Sequence, residues 1–198
     1  MKVIGIRYDF GTAGKEIADD VKPAVALMAD SSLLKDGKPF FVPDFAESFA
    51  ARSCIVVRVS RLGKNIAKRF AGRYYDALTV GLSVEARKMN DDFGGNSPEA
   101  LAYAFDGSAI LGDFVPIEEI SASERLCATL CGSEILDCPT ADALSCIDSL
   151  IEFISRYFTL KIGDLLYAFR VGDEISVVAQ STIDATLNGV KTLHFKIK

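Results

Sequence analysis

Nearly every apolar run in this sequence is short, and the strongest helical signal is confined to one stretch. Leu144, Ile147, Ile151, Ile154 and Phe158 recur at steps of three and four residues, which puts them on one helix face. Thr140 stands where an N-cap is wanted, its hydroxyl able to accept a first-turn N–H. The other runs have the lengths and β-branched content of strands. In Ser53–Ser60, the clearest, Ile55, Val57 and Val59 point to one face and Arg52, Cys54, Val56 and Arg58 to the other. Val3–Ile6, Ala24–Met28, Pro39–Val42, Tyr74–Val84, Phe114–Ile117, Leu165–Phe169, Glu174–Ala179 and Lys191–Ile197 also read as extended. Asp36-Gly37 carries a hairpin signal, and Gly132 centres a hairpin joining Arg125–Cys131 to Ser133–Leu136. Gly11–Gly14 reads as a breaker, Asp106-Gly107-Ser108 as a turn, and Lys15–Val21, Gly63–Ala71 and a segment opening at Ser97-Pro98-Glu99 as short helices. The sum is an α+β, mainly β chain.

With 198 residues, 49% of them apolar, the chain can build one well-formed core, so a single domain over 1–198 is expected. A net charge of −5 argues against a nucleic-acid partner. The densest basic stretch, Arg58–Arg73, is interrupted by apolar residues and reads as a solvated strand end and helix face. The N-terminal apolar run is too short for an export signal, and no run approaches the ~20 residues that span a bilayer. Five cysteines, an odd number, read as free thiols of a cytoplasmic protein without a membrane partner. Cys127 and Cys131 have zinc-like spacing. The sole histidine, His194, lies on the polar face of its strand, so structural zinc is not expected.

Several segments, in order, carry a resemblance. They are Asp30-Ser31-Ser32-Leu33-Leu34 with Val42-Pro43, the strand and turn Ile55–Ile66, the stretch Tyr74–Arg87 ending Glu85-Ala86-Arg87, then Phe105-Asp106-Gly107 and Phe158–Asp164. Together they resemble the fumarylacetoacetate hydrolase superfamily. The resemblance implies a β-roll with a few flanking helices, usually dimeric. It also implies an enzyme that holds Mg²⁺ or Mn²⁺ on acidic side chains, where the metal acts as a Lewis acid on keto-acid substrates.

The departures fall on that chemistry. The family's Glu-x-Glu positions match Arg52 and Cys54, its next acidic ligand matches Ser83, and the Asp after Ala-Arg matches Lys88, which follows Arg87. The Lys before Phe-Asp-Gly matches Tyr103, and Asp106 remains. The N-terminal histidine is absent from Arg7–Gly11, and the late Thr-Gly-Thr-Pro loop is missing between Ala168 and Asp173. A hard dication needs anionic oxygens, and Arg52 brings a fixed positive charge. No metal cofactor is therefore expected, and no catalytic residue is assigned.

Three readings follow. In the first, the protein is catalytically inactive and acts as a scaffold or small-carboxylate binder, with Arg52, Cys54, Ser83, Arg87, Lys88, Tyr103 and Asp106 lining a relict pocket. Arg52 pointing into water, or pairing with Glu47 or Asp44, is the plain alternative to such a pocket. In the second, it is a partner subunit, homodimeric or paired with an active paralogue. In the third, it is an active hydrolase, isomerase or decarboxylase of acylpyruvate-like keto acids.

Overall fold

The computed structural model describes residues 1–7, 23–89, 99–121, 123–169, 174–187 and 189–198. In chain order these form β1 (Val3–Arg7), β2 (Ala24–Met28), β3 (Leu33–Leu34), β4 (Ala46–Val59), α1 (Lys68–Ala71), β5 (Tyr75–Met89), α2 (Glu99–Ala104), β6 (Ala109–Leu111), β7 (Val115–Pro116) and β8 (Arg125–Leu130). There follow β9 (Ser133–Pro139), α3 (Thr140–Ser155), β10 (Leu165–Phe169), β11 (Ile175–Ser176), β12 (Thr182–Leu187) and β13 (Val190–Lys196).

Two sheets carry the molecule. The larger runs β2-β1-β10-β4-β5-β6-β3, with β11 added to β4 and β7 to β5. The smaller runs β13-β12-β8-β9. The spine of the larger sheet is the antiparallel pair β4–β5, whose register sets Val57 against Leu78, Ile55 against Val80 and Ala51 against Val84. Directly opposed residues share a face. These six therefore turn together into the main core, with Leu166 and Ala168 of β10. The smaller sheet closes the same core with Leu126, Leu136, Ile183, Leu187 and Phe195, and α3 adds Ile147, Leu150, Ile151 and Ile154. The opposite face of the larger sheet buries a second, smaller cluster around Cys54, Val56, Leu165 and Tyr167.

The mainly β architecture and the single long helix follow the sequence pattern. Several local expectations do not. Thr140 opens α3 but caps nothing: the N-cap position is Pro139, and the Thr140 hydroxyl is fully buried with no hydrogen-bond partner among the described residues. Asp36 and Gly37 both have positive φ, as a tight two-residue turn requires, and Lys38 N–H bonds the Lys35 carbonyl. The flanks nevertheless go separate ways, Leu33–Leu34 pairing with β6 and Phe40 bridging Ile197. A strong turn does not make a hairpin when each arm has a better partner elsewhere. The helix expected over Gly63–Ala71 shrinks to Lys68–Ala71, because Gly63 pairs with Leu160 instead. The 174–179 run keeps only Ile175–Ser176 as strand, with Val177 N–H bonding the Phe49 carbonyl at 3.0 Å. Strand β12 was missed, although Ile183, Ala185 and Leu187 alternate inward with period two. The expectations placed on residues 8–22, 97–98 and 170–173 lie outside the described residues.

Candidate functional site

The β4–β5 register also builds the candidate site. Arg52 opposes Ser83, Cys54 opposes Gly81, and Glu85 and Arg87 continue the same face along β5. The strand period of two thus gathers Arg52, Cys54, Ser83, Glu85 and Arg87 on one surface. Glu174, just ahead of β11, completes it. The Arg87 Nη2 donates to Glu174 Oε2 at 2.7 Å, and the same oxygen accepts from Arg52. Arg87 also reaches Glu85 Oε2 at 3.4 Å. Two guanidinium groups and two carboxylates therefore neutralise one another. Partial burial tends to lower the Arg87 pKa, but the carboxylates of Glu85 and Glu174 outweigh this and hold it above its usual value.

Cys54 is fully buried, and its thiol donates to the Arg52 carbonyl at 3.4 Å. Burial pushes its pKa far up, against a smaller opposite pull from the Ser83 backbone N–H and the Arg52 charge, so the thiol stays neutral. Opposite Cys54, a Cβ added to Gly81 would stand 2.7 Å from the Ile110 carbonyl and 2.8 Å from Val56 Cγ2. Ser83 is buried and carries no charge.

This donor set does not fit the divalent cation that the resemblance implies. Such an ion wants several anionic oxygens at 2.0–2.6 Å. The three matched positions supply a cation, a neutral thiol and a hydroxyl, and both carboxylates on this face are committed to arginines. Arg52 pairs with neither Glu47 nor Asp44, but with Glu174, 122 residues away.

Lys88 is not brought into the cluster. It sits on the opposite face of β5 from Ser83, with φ +49°, its side chain 75% exposed and 3.9 Å from Glu47. Five residues of extended chain, about 16 Å, separate it from Ser83. Tyr103 lies buried on α2, its carbonyl accepting the Ser108 hydroxyl at 2.9 Å. Asp106 is exposed in the turn before Gly107, whose φ is +81°. Glu85 and Glu174 belong to the cluster but not to the pocket expected from the sequence. Glu85 was readable, two residues before Arg87 on one strand face. Nothing local marks Glu174.

Comparison with known proteins gives this geometry its context. A family model described as "Fumarylacetoacetate (FAA) hydrolase C-terminal" matches residues 8–194. The chain belongs to the fumarylacetoacetate hydrolase family. Among family relatives, the mitochondrial oxaloacetate tautomerase fahd-1 of Caenorhabditis elegans is 28% identical over 170 residues, covering 83% of this chain and 79% of that protein. The oxaloacetate tautomerase YcgM of Escherichia coli (strain K12) is 26% identical over 194 residues, covering 89% and 87%. Fumarylpyruvate hydrolase from Pseudomonas aeruginosa, solved in complex with Mn²⁺ and pyruvate, superposes with a TM-score of 0.81 at 16% identity, covering 100% of this chain and 89% of that one. At that identity the superposition speaks for the fumarylacetoacetate hydrolase fold alone. Among the described residues, no helix is long and apolar enough to cross a membrane.

Proposed function

We propose that this chain is a fumarylacetoacetate hydrolase family member without the family's metal-assisted chemistry, serving as a scaffold or partner subunit. One observation carries the reading. The positions matched to acidic metal ligands hold Arg52, Cys54 and Ser83, and the Arg52 charge is taken up by Glu174 of the same chain. At ~4 Å and an effective dielectric of ~20, an unpaired guanidinium would repel a dication by about 8 kcal/mol, and the Glu174 carboxylate that offsets this charge is thereby taken up and not free to serve as a ligand. A small-carboxylate ligand would meet two arginines that already share a carboxylate, so it would have to displace Glu174.

The test uses the whole chain. Mn²⁺ binding is read from water-proton relaxation, and oxaloacetate tautomerisation and acylpyruvate cleavage from ultraviolet absorbance, with and without chelator. The expected result is no Mn²⁺ binding at micromolar to millimolar levels and no turnover above the uncatalysed rate. Stoichiometric Mn²⁺ binding, or turnover that a chelator abolishes, overturns the proposal.

The relatives' names favour a second reading, an active enzyme on oxaloacetate-like keto acids. Its signature is the turnover just described. The subunit role is tested by co-purification from the native host, where a family paralogue in stoichiometric amount is the expected partner.

A further inference from the structure

We infer that the end of the molecule formed by residues 61–73 and 156–162 is a docking surface for an anionic lipid membrane. In the sequence, the apolar residues interrupting Arg58–Arg73 argued for a merely solvated face. The fold changes that reading by laying a second segment alongside. Gly63 N–H bonds the Leu160 carbonyl at 3.0 Å, Leu160 N–H bonds the Gly63 carbonyl at 2.8 Å, and Asn65 N–H bonds the Ser155 carbonyl at 3.0 Å. Leu62 is thereby set beside Lys161 and Ile162.

The two segments hold seven of the chain's 22 bases and none of its 27 acids. Arg61, Lys64, Arg69, Arg73, Arg156 and Lys161 are all exposed, and none makes an ion pair among the described residues. Among the described residues, none of the nearby acids forms an ion pair with these six. Glu152 accepts the Lys68 N–H, Asp148 accepts the Tyr75 hydroxyl, and Asp164 is buried against Lys2. Among these bases stand Leu62, Tyr157 and Ile162, 66%, 64% and 74% exposed, with Phe70 under the guanidinium groups of Arg69 and Arg73.

Aliphatic tips ringed by unpaired bases fit an anionic lipid interface, where the bases meet headgroups and the tips enter the acyl boundary. A nucleic acid would satisfy the charge but leave Leu62 and Ile162 facing phosphates. A twofold pairing of two copies through this end would set bases against bases. The inference stands whether or not the chain is catalytic.

The chain contains no Trp, so Ile162→Trp places a single environment-sensitive fluorophore at the tip. Phosphatidylcholine vesicles, plain or with about a third phosphatidylserine, are the probe, read by sedimentation of the wild type and by emission of I162W. Expected are pelleting and a blue shift with the anionic vesicles only, both reversed at high salt. Lys64→Glu/Lys161→Glu is expected to lower partitioning about tenfold or more, and Leu62→Ser/Ile162→Ser to lower it while leaving the melting temperature unchanged. Equal binding to neutral vesicles, no binding to either, or an unaffected L62S/I162S variant overturns the proposal. So does a response to polyglutamate or to RNA without one to vesicles, or a dimer in sedimentation equilibrium that L62S/I162S dissociates.

Discussion

Glu174→Gln removes the one carboxylate that two guanidinium groups share while leaving the side chain's shape. Afterwards Arg87 keeps Glu85 at 3.4 Å, and Arg52 keeps no ionic partner among the described residues. Each lost contact is worth ~4 kcal/mol of Coulomb energy at 4 Å and a dielectric of 20. The groups are not deeply buried, however: the side chains of Arg52, Glu174 and Arg87 are 19%, 29% and 41% exposed. Exposed pairs yield only about 0.2–1 kcal/mol, so the net cost is placed at about 1–2 kcal/mol. Urea unfolding of the wild type, E174Q, R52A and the double variant isolates the Arg52–Glu174 coupling, expected near 1 kcal/mol. The same variants probe ligand access. Oxaloacetate and pyruvate are expected to give no calorimetric heat with the wild type, to bind E174Q weakly, in the millimolar range, and to be lost again when Arg52→Ala is added. A coupling below about 0.3 kcal/mol, or equal keto-acid binding by the wild type and E174Q, refutes the idea that Glu174 fills the site.

Asp164→Asn strikes a buried carboxylate that accepts the Lys2 and Lys161 N–H groups at 2.7 and 2.8 Å and pairs with the Lys2 ammonium. It is expected to cost about 3 kcal/mol at neutral pH. Burial pushes the Asp164 carboxyl up, but those partners outweigh it and leave it below the usual range. Its contribution is therefore present above about pH 4 and lost as pH falls through the folded value, so D164N should flatten the acid limb of a stability-versus-pH curve; an unchanged limb counts against this. Thr140→Val replaces a fully buried hydroxyl, which has no partner among the described residues, with a methyl of similar volume and should stabilise by about 1 kcal/mol in chemical denaturation; a loss of stability would show that the hydroxyl is satisfied. Gly112→Ala should destabilise by about 2–3 kcal/mol, because its Cβ would meet the carbonyls of Val80 and Thr192 at 2.6 and 2.8 Å; a melting temperature equal to that of the wild type is the contrary result.

What the sequence made legible is what repeats locally. The alternation in β4, the stripe of α3 and the turn at Cys131-Gly132, both with positive φ, depend on neighbours a few residues away. So does the co-facing of Arg52, Cys54 and Ser83, once β4 and β5 pair. What escaped depends on choices made across the chain. The arms of the Asp36-Gly37 turn part because β6 and Ile197 are available to them. Thr140 does not cap because Pro139 already occupies the N-cap position. The acids near Arg52 in sequence, Glu47 and Asp44, are not its partners; the chain supplies Glu174 from beyond β10.

That distant partner bears on what Arg52 does at a position matched to an acidic ligand. An arginine placed on a half-buried sheet face beside a buried thiol needs an anion, since an uncompensated charge there costs several kcal/mol. A ligand could supply it, in which case the face would be a carboxylate receptor. Glu174 supplies it instead, held in place by β11 pairing with Ala50 and Ala51 beside Arg52. A tethered carboxylate competes at a high effective concentration against any free one, so a small acid at ordinary concentrations is at a disadvantage. Arg52 and the Glu174 carboxylate thus act as one unit. Changing Arg52 alone to Glu would leave Glu174 and Glu85 facing a third negative charge, not an assembled cation site.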